Sequence, residues 1–199
     1  MAGASVRTAD LSLEGFLAWE ERQQLRFERV GGVVRAMAGG TRAHDTVANN
    51  LRALLWNGLR GGACRVHGPD LKVVTPGGDV LYPDALVRCG PADDRATTVD
   101  DPLVVVEVLS EGSARRDLTV KRQAYKTIPS LRLILYVAQD QPRIDLVRRG
   151  PDGRWDDGEP AVGTDAVLDL PELGCALPLA AIYEGIELGP PDELAREEG

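Results

Sequence analysis

The sequence predicts an α/β domain: a central mixed β-sheet flanked by helices, with an N-terminal helix and a β-hairpin. Three observations predict it. The runs 103–109 and 131–138 are apolar and rich in β-branched residues, as strands buried on both faces are. The segment between them, 113–127, reads as a helix, so the unit is a right-handed parallel crossover. Nearer the start, Gly31-Gly32 separates two strand-like runs, the mark of a two-residue hairpin turn.

In chain order, Ser12 caps a helix over 13–22, with Leu13, Phe16, Leu17 and Trp19 toward the core. The hairpin strands are 25–30 and 33–38, and a second helix covers 43–59, with Val47, Leu51, Leu54, Leu55 and Leu59 at helical spacing. Strands follow at 64–67, 71–75 and 80–89, the last two joined by the turn Pro76-Gly77-Gly78-Asp79. A polar loop, 90–102, leads into the crossover. Beyond it, 143–149 and the turn Gly150-Pro151-Asp152-Gly153 suggest a peripheral hairpin with Trp155. A short strand from Ala161 to Leu170 and a helix over 179–185 complete one domain, 1–188, and residues 189–199 read as a polar, mobile tail.

Composition narrows the function classes. No apolar stretch reaches the roughly 20 residues of a membrane helix, and the start lacks an apolar signal core, so a cytoplasmic protein is expected. Cys64, Cys89 and Cys175 are scattered and odd in number, which reads as partly buried free thiols. The net charge of −8 is unevenly spread. Residues 1–150 hold 21 Lys and Arg against 18 Asp and Glu, a net of +3, and 151–199 a net of −11. The longer part can therefore approach a phosphate backbone, although +3 is mild for a nucleic-acid binder. The phosphate-cradling glycine loops, the zinc-protease helix motif and the serine-hydrolase elbow are all missing from the sequence.

Three residues stand where an apolar pattern does not call for them. Asp84 falls inside the strand-like Leu81-Tyr82-Pro83-Asp84-Ala85-Leu86-Val87. Glu107 sits among six apolar residues of 103–109, where an unpartnered carboxylate costs several kcal/mol. Lys121 shares a helix face with Asp117 and Tyr125 at four-residue spacing. Singly, Glu107 is equally served by an ion pair, Asp84 by a turn, and the Asp117–Lys121 pair by a solvated helix face. Two such carboxylates on successive strands, followed by a lysine on the next helix, favour an oxygen-ligated Mg²⁺ or Mn²⁺. Ser110, Arg115 and Arg116 lie near that helix's start, where phosphate is favoured, and both arginines serve equally as surface charges.

Tyr82-Pro83-Asp84, Val106-Glu107-Val108-Leu109-Ser110, Arg116-Asp117, Lys121 and Tyr125, in this order, resemble the PD-(D/E)XK nuclease superfamily. Within it the chain resembles the bacterial Uma family of restriction-endonuclease-like proteins, over about Leu11 to Ile186. The resemblance implies a restriction-endonuclease-like core and metal-dependent cleavage of DNA. It makes Asp84 and Glu107 the metal ligands and Lys121 the third catalytic group, with Glu28 and His44 as further site members. The superfamily's lysine two residues after the acid is replaced by Leu109, which points to Lys121 in its place. His67 and Asp70 are weaker candidates. A homodimer also follows from the resemblance. A non-catalytic descendant acting as a binding or regulatory module is the alternative.

Overall fold

The computed structural model describes residues 5–6, 11–37, 39–110 and 115–188; the side chains of 5–6 and 115–117 lie outside that description. The expected tail, 189–199, and the first residues of the crossover helix also lie outside it.

The elements in order are β1 (Ser5–Val6), α1 (Leu13–Glu20), β2 (Phe27–Val30), β3 (Val33–Ala36), α2 (Arg42–Gly58), β4 (Cys64–His67), β5 (Lys72–Val74) and β6 (Val80–Leu81). They continue with β7 (Ala85–Cys89), β8 (Thr98–Val99), β9 (Val104–Leu109), α3 (Arg115–Lys126), β10 (Leu133–Ala138), β11 (Arg143–Arg149) and β12 (Trp155–Asp157). The chain closes with β13 (Ala161–Val162), β14 (Val167–Leu170), β15 (Cys175–Pro178) and α4 (Leu179–Ile182).

The central sheet has the order β12-β11-β10-β9-β7-β4, with β13 also on β11. It is mixed: β9 and β10 are parallel and the other pairs antiparallel. Alternation along β9 sends Val104, Val106 and Val108 into a core shared with Val47, Leu51 and Leu55 of α2. Val105 joins Ala124 and Tyr125 of α3 on the opposite face. Glu107 has the parity of Val105, so it faces α3.

A second sheet, β1-β3-β2-β6-β5-β8, is built around the hairpin. Gly31 and Gly32 both have positive φ, 58° and 75°, as a two-residue turn matched to strand twist requires. Asp79 Oδ1 accepts the Gly31 N–H at 2.8 Å. A methyl group on Gly31 would meet Val120 of α3 at 3.4 Å, so the turn lies close over that helix.

Four expectations are corrected. The single strand over 80–89 is two strands in different sheets, broken at Tyr82-Pro83-Asp84; Pro83 has no N–H to offer a ladder, and the chain crosses there. Asp84 is therefore just outside β7 rather than inside a strand. The loop 90–102 contains β8, parallel to β5. The strand expected over 161–170 is two, β13 on β11 and β14 paired with a further strand, β15, and the last helix is shorter than expected. Finally, Cys64 and Cys89 are not free thiols. They face each other across β4 and β7 and form a disulfide, leaving Cys175 free.

Candidate active site

The break before β7 and the ladder beyond it bring Asp84 and Glu107 together. β7 pairs with β9 in the register Ala85↔Val106 and Leu86↔Val105. One more step along the same register sets Asp84 opposite Glu107. Instead of a ladder bond, Asp84 Oδ2 accepts the Val108 N–H at 2.7 Å, so the carboxylate is fixed by the neighbouring strand's backbone. Arg52 of α2 holds the Asp84 carbonyl from the other side at 2.8 Å.

Glu107 is buried, and its Oε1 accepts the Tyr125 hydroxyl at 2.7 Å. Lys121 Nζ lies 3.4 Å from both of its oxygens. The same ammonium is 2.8 Å from Glu28 Oε1, which the hairpin extends over α3. Glu28 Oε1 also accepts the Tyr82 N–H at 3.0 Å. On the α2 side, His44 Nε2 stands 3.4 Å from Asp84 Oδ2. The capping residue Thr41 accepts the His44 N–H and donates to Gln139 Oε1 at 2.8 Å.

These groups line one cavity of about 580 Å³ that takes in Glu28, His44, Tyr82, Asp84, Glu107 and Lys121, with Ser110 and Gln139 at its wall. Its electrostatics are dominated by burial and by excess acid. Desolvation pushes the Glu107 carboxyl up to about 7, against the pull of Lys121 and with the help of Glu28 and Asp84. Burial alone would lower Lys121, but the charges of Glu107 and Glu28 outweigh it and the net shift is upward. The Asp84 hydrogen bond raises His44 against the opposing effect of its own burial. Three carboxyl groups, the Lys121 ammonium, the Arg35 guanidinium and the His44 imidazole thus line the cavity.

The cavity gathers Glu28, His44, Asp84, Glu107, Lys121 and Ser110, all read from the sequence, and Tyr125 reaches it through Glu107. It does not gather His67, which lies on β4, or Asp70, which ion-pairs with Arg26. Arg115, Arg116 and Asp117 begin α3, and their side chains are outside the described residues. Gln139, Thr41 and Tyr82 were missed as site members. Gln139 carries no signal in the sequence, since it simply follows an apolar strand; Thr41 is recognisable only as a helix cap.

Among the described residues no group of three or more His, Cys, Asp or Glu side chains is placed to hold a metal ion. Asp84 and Glu107 form a smaller oxygen-donor pair. That suits a hard cation such as Mg²⁺, which keeps several waters and takes one or two carboxylates.

Comparison with known proteins matches the chain to a family. The model of the Uma2 family, described as "Putative restriction endonuclease", matches residues 13–180. The uncharacterised protein slr1290 of Synechocystis sp. PCC 6803 is 33% identical over 180 residues, covering 88% of this chain and 93% of the relative. A second Synechocystis protein, the uncharacterised sll1609, is 26% identical over 152 residues, covering 74% of this chain and 86% of its own. Among solved structures, a protein of Anabaena variabilis described as a putative nuclease of the DUF820 group superposes with a TM-score of 0.71. It shares 15% identity and covers 87% of this chain and 97% of its own, a likeness of fold. The chain belongs to the Uma2 family and has a restriction-endonuclease-like α/β fold.

Proposed function

We propose that the protein is a metal-dependent endonuclease that hydrolyses phosphodiester bonds of DNA. The observation that carries this reading is the convergence of Asp84 and Glu107 with Lys121 and Glu28 in one cavity. Support comes also from the family description and from the nuclease description of the structural neighbour. Restriction-endonuclease-like nucleases generally use divalent metals.

Asp84 and Glu107 would hold Mg²⁺ or Mn²⁺. Such an ion, when bound, draws in the scissile phosphate and lowers the pKa of an attacking water. Val108 N and Tyr125 fix the two carboxylates in place before substrate arrives, so little reorganisation is needed. Lys121, anchored by Glu28 and Glu107, presents its ammonium to the cavity, where it orients the water or neutralises charge growing on the phosphate oxygens. His44 backs Asp84, and Ser110 at the cavity wall offers a contact for phosphate. The products are a 5′-phosphate and a 3′-hydroxyl. Cutting both strands calls for two sites, hence a homodimer.

A binding module without turnover is the second reading. The ion pairs that already occupy Glu28 and Glu107 favour it. Incubating supercoiled plasmid and single-stranded DNA with the protein and Mn²⁺ decides between them. Nicking by the parent that disappears in Asp84→Ala supports the nuclease; an inert parent on both substrates overturns it.

A further inference from the structure

A second charged cluster lies beside the site, with its chemistry sealed in the core. Glu20 ends α1, yet it is only 5% exposed, and Lys72 and Tyr82 are 6% and 3% exposed. Glu20 Oε2 is 3.0 Å from Lys72 Nζ on β5. Its Oε1 accepts the Tyr82 hydroxyl at 2.7 Å and the Phe27 N–H at 3.4 Å. The Arg26 guanidinium lies 5.9 Å from the centre of the Tyr82 ring.

Tyr82 connects this cluster to the cavity. Its hydroxyl ends on Glu20, while its backbone N–H ends on Glu28 Oε1, the oxygen that also holds Lys121. Pro83 and Asp84 follow directly, where the chain leaves one sheet for the other and has no ladder of its own. A crossing without ladder bonds needs another anchor, and the buried hydroxyl supplies one. Stability alone does not explain the cluster, because a buried ion pair is often matched or bettered by apolar side chains of similar volume.

We propose that Glu20, Lys72 and Tyr82 are positioning residues for the cavity, fixing Glu28 and Asp84 through the backbone of Tyr82. The inference rests on the metal-site reading above and adds the groups that set its geometry. Partners that orient metal ligands are typically worth ten- to a hundredfold in affinity.

The test uses the full chain, Mn²⁺ as the probe, calorimetric titration for affinity and thermal unfolding for stability. The triple variant Glu20→Leu, Lys72→Met, Tyr82→Phe removes the whole buried charge cluster while keeping its volume. The expected result is unfolding at or above the parent's temperature with Mn²⁺ affinity at least about tenfold weaker. Tyr82→Phe, which removes a single oxygen, is expected to weaken Mn²⁺ by about three- to tenfold and carries the test if the triple variant does not fold. Folded variants that bind Mn²⁺ as the parent does overturn the positioning role and leave the site reading standing. A parent that binds no Mn²⁺ overturns both.

Discussion

Two acid–lysine clusters lie side by side in this molecule, and they are built differently. Around Glu20, one carboxylate meets one ammonium, both oxygens are satisfied, and the group is closed to solvent. Around Lys121, three carboxylates meet one ammonium at the wall of an open cavity. The first cluster is neutral and complete. The second lines a cavity that gives a cation room to enter. The closed cluster can act only by holding its neighbours in place, whereas the open one can be reached by an ion.

The contrast breaks most forcefully in the closed cluster. Glu20→Ala strands the Lys72 ammonium in the core, and unfolding by urea is expected to show a loss of about 3–5 kcal/mol. If Glu20→Ala unfolds like the parent, Lys72 has an outlet to water and the cluster is not sealed as described. In the open cluster the same kind of truncation acts on function instead. Asp84→Ala is expected to lower Mn²⁺ affinity by more than about a hundredfold, beyond the loss seen on removing outer partners. Its folding stability should change far less than that of Glu20→Ala. Equal stability losses in the two variants would erase the distinction between the clusters.

Lys121→Met sharpens the comparison further, because it removes the ammonium that pairs with both Glu28 and Glu107. Losing the pull of Lys121 raises the Glu107 carboxyl further, so parent and variant are compared at saturating Mn²⁺, where the metal displaces the proton and both sites are filled. Plasmid cleavage should nevertheless fall by about a hundredfold, the scale on which a single preorganised charge acts on a transition state. Parallel losses of binding and cleavage would make Lys121 a support for Glu107 rather than a participant.

Much of the open cluster was legible in the sequence. Glu107 interrupts an apolar run, and Lys121 and Tyr125 share a face of the helix that follows; Glu28 and His44 were legible only through the family resemblance. Asp84 was legible as a residue but not in its setting, because hydrophobic periodicity cannot say that two halves of one apolar run belong to different sheets. The closed cluster was hidden for the opposite reason. Lys72 in Leu71-Lys72-Val73-Val74 looks like the polar side of a strand, and Glu20 at a helix end looks solvated. Both break a pattern only after α1 packs over the second sheet. The Cys64–Cys89 bridge was illegible too, since a separation of 25 residues says nothing of the β4–β7 register that pairs them.

The smallest effect separates the clusters by proton rather than by mutation. In the metal-free protein Glu107 is held up at about 7, against an ordinary value of 4.5, chiefly by desolvation. A carboxyl with a raised folded pKa binds its proton more tightly folded than unfolded. Its contribution to stability is thus complete below about pH 4.5 and lost as pH rises through about 7. A divalent ion reverses the preference, because it binds only the carboxylate. Mn²⁺ affinity should therefore rise about tenfold per pH unit up to pH 7 and level off above it, with a proton released on binding. Calorimetric titrations in buffers of different ionisation heat measure both the slope and the proton. A flat profile between pH 5.5 and 7 would mean that Glu107 is already ionised without metal. The Glu107 carboxylate would then be ready before any cation arrives.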